Sequence, residues 1–266
     1  MLTIAGSDSG GGAGIQADSR TIHALGGFAA TAITAITAQN TIGVQSWQPI
    51  APKLVAAQIK SVIDDLPVAV IKTGLLPSAE CIRTIVKALD SFANLRLVVD
   101  PLIGSTSGAR FLDEKGVAAL MKFLAPRAEL LTPNWPEAAA LSEREVASVA
   151  DAELAARSIL ARCGCAAVLV KGGHGAGGLS EDILVERGGA ALRLRRPRIR
   201  TANTHGTGCV LASAIATRLA LGDELAAAVR FAGDFLHDAL VAGRSQRFGA
   251  GHGPAFAGLR FKSPNR

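Results

Sequence analysis

Hydrophobic positions along the chain fall into short, nearly unbroken runs, separated by longer stretches in which they recur at helical spacing. The runs LTIA (2–5), FAATAITAIT (28–37), VAVIKTG (68–74), LRLVVD (95–100), AELLTPN (128–134) and AAVLVKGG (166–173) read as β-strands. Several are almost continuously apolar, as strands covered on both faces are. The segments 14–25, 52–65, 78–92, 113–123, 136–142 and 151–162 between them read as helices. Strand and helix alternating at this interval predict an α/β fold: a doubly wound, mostly parallel central sheet with right-handed crossovers and helices on both faces. Residues 180–196 break the rhythm with two strand-like runs around Arg187-Gly188-Gly189, which predicts a hairpin at a sheet edge. Two helices, 207–221 and 223–242, follow.

The chain has 266 residues, 49% hydrophobic and 19% charged, enough for one large core. Neither a Pro/Ser-rich linker nor a charge block divides it, so residues 1–266 are expected to form a single domain. The start MLTIAGSDSGG lacks the basic and apolar regions of a signal peptide, and no apolar run reaches the length of a membrane span. Cys81, Cys163, Cys165 and Cys209 have neither the density of a disulfide scaffold nor paired metal spacing. A cytoplasmic protein with reduced thiols and no membrane partner is expected.

A net charge of +6 raises the question of nucleic acid. The densest basic run, LRLRRPRIR (192–200), alternates as a strand with one solvated face would. Aromatic residues are only 4% and Tyr is absent, which leaves few platforms for stacking bases. A basic nucleic-acid-binding module is therefore the alternative from a different class, and no nucleic-acid partner is the expectation. The same charge attracts anionic small molecules.

In an open α/β sheet, ligands bind beyond the carboxyl ends of the strands. There the sequence places the glycine-rich run 6–14, Gln39-Asn40, Asp100-Pro101, Asn134-Trp135-Pro136-Glu137 and Lys171-Gly172-Gly173. The stretch NTHGTGCVLASAIATRL (203–219) adds a bare glycine turn and a thiol at the mouth of a helix. The first N–H groups of a helix lack intrahelical partners and carry partial positive charge, so such a turn can hold an anion; Gly206 and Gly208 could equally serve only to make the turn. Gly173–Gly178 matches a dinucleotide fingerprint, but a strand-like segment follows where a helix is required. Neither a P-loop nor a hydrolase elbow is present.

SDSGGGAGIQAD (7–18), TAQNT (37–41), VVDP (98–101), TPNWPEA (132–138), VKGG (170–173) and NTHGTGC (203–209), in this order, closely resemble the hydroxymethylpyrimidine/phosphomethylpyrimidine kinases of thiamin biosynthesis, within the ribokinase-like superfamily. The resemblance runs from Leu2 to about Gly243. It implies a ribokinase-like sheet without a separate lid domain, ATP as phosphoryl donor and Mg²⁺ as cofactor. The implied substrates are 4-amino-5-hydroxymethyl-2-methylpyrimidine and then its monophosphate. A pyridoxal kinase of the same superfamily is the nearest alternative, and a homodimer the implied assembly.

On this resemblance Gly206, Thr207 and Gly208 form the anion hole, and Cys209, at a helix N-terminus that lowers a thiol pKa, accepts the hydroxymethyl proton or else packs against substrate. Gln39 reads the pyrimidine edge through its carboxamide, with Gly6 and Asp18 beside the substrate; Asp8 and Asp18 read equally as helix-capping carboxylates. Lys171, Gly172, Gly173 and Asn134 border the nucleotide phosphates. Glu137 and Asp100 are the Mg²⁺ candidates, and Asn134 with Glu137 also reads as an N-capped helix start. The chain departs from the family after Asp100-Pro101: the family lysine falls on Thr106 and the family acid on Ala109. That removes a cation near the phosphates and weighs on the second phosphorylation more than the first.

Overall fold

A computed structural model describes residues 1–255 apart from 91, 93–95, 105–109 and 176. Its strands are β1 (Leu2–Asp8), β2 (Ala30–Gln39), β3 (Val44–Pro49), β4 (Val70–Thr73), β5 (Arg96–Val99), β6 (Leu130–Leu131), β7 (Ala167–Val170), β8 (Leu179–Glu186) and β9 (Ala191–Pro197). Its α-helices are α1 (Gly14–Ala24), α2 (Pro52–Asp65), α3 (Ala79–Leu89), α4 (Glu114–Ala119), α5 (Trp135–Ser142), α6 (Val149–Cys163), α7 (Thr207–Ala220) and α8 (Leu225–Gly243). The strands form one sheet in the order β3-β2-β1-β4-β5-β6-β7-β8-β9. Strands β2 to β7 pair in parallel, while β3 at one end and β8 and β9 at the other are antiparallel.

The apolar runs serve two cores by turns, because successive strand side chains point to opposite faces. Ile71, Leu97, Val99, Leu131, Val168 and Val170 pack with α2, α3, α5 and α6. Their neighbours Val70, Val98, Leu130, Ala167 and Leu169 pack with α7 and α8. This is the doubly wound arrangement, and among the described residues no second sheet forms a lid. Local signals set the helix ends. The side chain of Ser78 caps α3, that of Asp113 caps α4 and that of Ser148 caps α6, while Gly164 stops α6 in the left-handed region. Beyond α4, the expected helix continues as a π-type turn over Leu120–Leu124.

Two features depart from the sequence reading. Strand β3 was not anticipated: VQSWQP has no clean alternation because most of its residues are exposed at the sheet edge. Its Trp47 nevertheless stands edge-on to Phe111, ring centres 5.7 Å apart. Strand β6 shrinks from 128–134 to two residues, with Pro133, which has no N–H to donate, just beyond it. The arginine run forms β9 with one solvated face, as expected, and its charges are paired: Arg193 with Glu153, Arg195 with Glu181, and Arg196 with Asp182 and Asp234. The hairpin at the sheet edge forms as expected, with Gly188 at φ +75° between β8 and β9. No described helix is long and apolar enough to cross a membrane.

Candidate active site

A cavity of about 800 Å³ opens beyond the carboxyl ends of the parallel strands, lined among others by Gly6, Gln39, Asp100, Glu137, Lys171 and Cys209. Elements distant in sequence meet there because each parallel strand delivers the residues that follow it to the same edge.

Helix α7 starts on this cavity. Gly206, just before it, sits at φ +79°, and a Cβ there would lie 2.0 Å from the Gly12 carbonyl oxygen, so only glycine fits. No side chain caps α7, and Gly206, Thr207, Gly208 and Cys209 all line the cavity. The Thr207 N–H donates to the Thr204 carbonyl, which leaves those of Gly208 and Cys209 facing the cavity and available to an anionic group. A Cβ on Gly208 would lie 3.3 Å from the Lys171 ammonium and 3.5 Å from Asp100 Oδ2, so a lysine and a carboxylate abut the same turn.

The thiol of Cys209 reverses one expectation. Its position at a helix N-terminus predicts a lowered pKa, but burial dominates and pushes the thiol up to about 11, against the pull of the nearby Lys72 ammonium. The residue is 8% exposed and packs with Ala17 and Val210.

Lys171 Nζ donates to Asp100 Oδ1 at 2.7 Å and lies 3.8 Å from Glu137 Oε2. Burial pushes Asp100 up, but the charges of Lys171 and Lys72 and the hydrogen bonds from Lys171 and Thr132 together outweigh it and hold the carboxyl below its usual range. Glu137 goes the other way: burial outweighs Lys171, Asp100 adds repulsion, and the carboxyl rises to about 7. Asn134 and Glu137 form a capping box on α5, each side chain accepting from the other's backbone N–H. Asn134 also lines the cavity, so the cap and the cavity wall share one residue.

Two predicted site residues fall elsewhere. Asp18 is fully buried beneath α7 and does not line the cavity. Its carboxylate accepts from Lys72 Nζ at 2.8 and 2.9 Å, from the Thr3 hydroxyl at 2.6 Å and from the Ser213 hydroxyl at 2.7 Å. An acid four residues into α1 points inward, and the buried Lys72 on β4 claims it. Gly172 is also buried: a Cβ there would lie 2.1 Å from the Glu181 carbonyl oxygen, and its N–H donates to Asp182. Its neighbour Gly173 does line the cavity. Thr106 and Ala109 lie outside the described residues.

Other cavity residues were given no site role from the sequence. Phe111 lines the cavity, backed by Trp47. Arg198 follows β9 and donates to the carbonyls of Gly172, Gly173, Gly175, Gly177 and Leu179, lashing the loop between β7 and β8. Only its place beside the sheet edge, in a run of arginines, could have suggested it. Asp8 accepts from the N–H groups of Gly10, Gly12 and Ala13 and meets His205, which in turn touches Gln39.

Backbone donors at a helix mouth, a lysine and two carboxylates around one cavity are the equipment of phosphoryl transfer, which depends on positioning and charge stabilisation. Fold and site together define a kinase. The sequence profile described as phosphomethylpyrimidine kinase matches residues 8–256, and the chain belongs to that family. A hydroxymethylpyrimidine/phosphomethylpyrimidine kinase of Rhizobium meliloti is 46% identical over 95% of this chain and 94% of its own length. A thiamine biosynthesis bifunctional protein of Geobacter sulfurreducens is also 46% identical, over 96% of this chain, which spans 51% of that longer protein. Among solved structures, a phosphomethylpyrimidine kinase from Clostridium difficile superposes with a TM-score of 0.78 at 39% identity, covering 90% of this chain and 98% of that one. A pyridoxal kinase from Staphylococcus aureus in complex with ADP gives 0.87 at 30% identity, covering 97% and 94%.

Proposed function

We propose that this chain transfers phosphate from ATP to the hydroxymethyl group of 4-amino-5-hydroxymethyl-2-methylpyrimidine, and then phosphorylates the monophosphate, in thiamin biosynthesis. The observation that carries the reading is that Gln39 and the Gly206–Cys209 turn border one cavity. A carboxamide has an acceptor and a donor side by side, matching the 4-amino group and the adjacent ring nitrogen. The turn's N–H groups and Lys171 then stabilise charge on the transferring phosphoryl, and Cys209 accepts the hydroxyl proton.

The residues fit Mg²⁺. Two buried carboxylates, Asp100 and Glu137, lie against Lys171, and burial together with the Asp100 charge raises the Glu137 pKa to about 7, so an added cation would favour both carboxylates in their ionised form. Mg²⁺ needs only one or two protein carboxylates beside waters and phosphate oxygens, so Asp100 and Glu137 would hold it, and it would neutralise phosphate charge. Residues 1–266 act as one kinase domain in the cytoplasm. The expected assembly is a homodimer, for which exposed Phe28, Ile36 and Ile42 offer apolar surface.

Glu137→Gln tests the charge balance. A folded-state pKa raised above the unfolded value makes stability fall as pH rises from the unfolded value to about 7. The variant escapes that fall, so its Tm should exceed the parent's by roughly 5 °C above pH 7 and match it near pH 5, while kcat drops about a hundredfold. A Tm difference that does not grow with pH counts against the assignment.

The reading itself is tested by product mass with ATP and Mg²⁺, offering the hydroxymethylpyrimidine, its monophosphate and pyridoxal side by side. Diphosphate shows that both steps run with Thr106 in place of the family lysine; monophosphate alone assigns the missing step to that departure. Turnover of pyridoxal only would favour the second reading, a pyridoxal kinase, which the close fold match to the Staphylococcus aureus enzyme keeps in view.

A further inference from the structure

His205 sits in the turn that leads into Gly206, and its backbone is tied to Gly253 and Ala255. The imidazole lies against bare backbone, since a Cβ on Gly12 would come within 2.3 Å of His205 Cδ2. Its Nε2 is 2.8 Å from Asp8 Oδ2 and 3.1 Å from Gln39 Nε2. These two contacts make opposite demands. Burial raises the Asp8 pKa, but the bonds from His205, Ala13 and Gly10 outweigh it, so this carboxylate is ionised and only accepts. The imidazole nitrogen facing it must therefore carry the proton. A nitrogen that donates in this way has no lone pair left for the amide of Gln39.

The conflict resolves by a half-turn of the Gln39 carboxamide, which exchanges its oxygen and nitrogen and lets the His205 N–H reach Oε1. We propose that His205, held by Asp8, is a positioning residue that fixes which end of the Gln39 carboxamide lies on the α7 side, and thereby which way round the aminopyrimidine enters. The inference rests on the aminopyrimidine reading above. With Oε1 on the His205 side, the substrate's 4-amino donor lies on that side and the ring nitrogen on the far side. The 5-hydroxymethyl group is the ring neighbour of the 4-amino group, so it comes toward Gly206–Cys209. With the carboxamide reversed, the ring turns over and the hydroxymethyl group points away from the turn.

The 4-oxo analogue tests this, because it reverses the pattern: its carbonyl accepts where the 4-amino group donates, and its ring N–H donates. Wild-type protein should prefer the amino compound by about a thousandfold in kcat/KM, as a site built around hydrogen bonds does. In His205→Leu the carboxamide is free to turn, and the ratio should fall to about ten, mostly through gain on the oxo compound and a raised KM for the amino compound. In a Gln39→Ala background the same substitution should leave the ratio unchanged, since the two residues act as one unit. His205→Gln, which restores an N–H near the lost one, should keep most of the preference. Equal loss on both substrates in His205→Leu overturns the proposal, as does an equal fall of the ratio in the Gln39→Ala background. A well-folded His205→Gln that loses the preference overturns it too. Absence of wild-type turnover on the amino compound overturns the reading and the proposal together, whereas an unchanged ratio in His205→Leu overturns the proposal alone.

Discussion

Replacing Cys209 with alanine is expected to lower kcat about a thousandfold while KM for the alcohol stays within about threefold. The thiol lines the cavity at the first turn of α7, next to the N–H groups assigned to the phosphoryl. A proton acceptor at that point acts in the transition state and adds little to ground-state binding, so its removal appears in kcat. The direction of its pKa adds a second readout. With the thiol pushed up to about 11, only a small fraction is thiolate near neutrality, and that fraction grows about tenfold per pH unit. The parent's kcat should accordingly climb from neutral pH to about pH 10, and the alanine variant should lack that limb. Steady-state rates across this range decide it: an unaltered kcat, or the same ascending limb in the variant, removes Cys209 from proton transfer.

Lys72→Met is expected to cost about 3–5 kcal/mol of stability, a fall in Tm of about 10 °C, because it leaves the Asp18 carboxylate charged and unpaired in the core. Both side chains are fully buried. Burial lowers the Lys72 pKa, but the charge of Asp18, joined by Cys209 and Asp100, outweighs it and holds the pKa above its ordinary value. A raised lysine pKa means that the stabilisation is complete below the unfolded value, near pH 10, and is lost only as pH climbs past the folded one. The loss should therefore be the same at pH 6 and pH 9, to within about 1 kcal/mol. The double variant Lys72→Met/Asp18→Asn should recover most of it, since the orphaned charge is gone while the Thr3 and Ser213 hydroxyls keep a partner. Thermal unfolding of the three proteins provides the check, and a single-variant Tm within about 2 °C of the parent would contradict it.

The central strands and most helices were legible because buried parallel strands leave unbroken apolar runs, and helix-capping Ser78, Asp113 and Ser148 mark helix starts. Strand β3 was not, because an edge strand in water needs no apolar pattern; its one informative residue, Trp47, acts through Phe111, more than sixty positions away. The cavity was foreseen in outline from the carboxyl-end rule. The Lys72–Asp18 pairing escaped because a buried pair is a property of packing: Asp18 reads as a substrate neighbour or a cap until β4 and α1 are brought together. His205 was left without a role for a similar reason, since Asp8, Gln39 and His205 meet only in three dimensions.

The strand order carries a consequence for the growing polypeptide. From β5 onward, every strand pairs with the one made just before it, so that half of the sheet can extend along its open edge in the order of synthesis. Helices α7 and α8 come last, yet they close one entire core, and α7 brings the Gly206–Cys209 turn. A nascent chain therefore reaches a stage in which the sheet exists with one apolar face bare, and the step that covers this face is also the step that creates the anion-holding turn. Catalytic competence and protection from aggregation arrive together, with the emergence of α7 and α8.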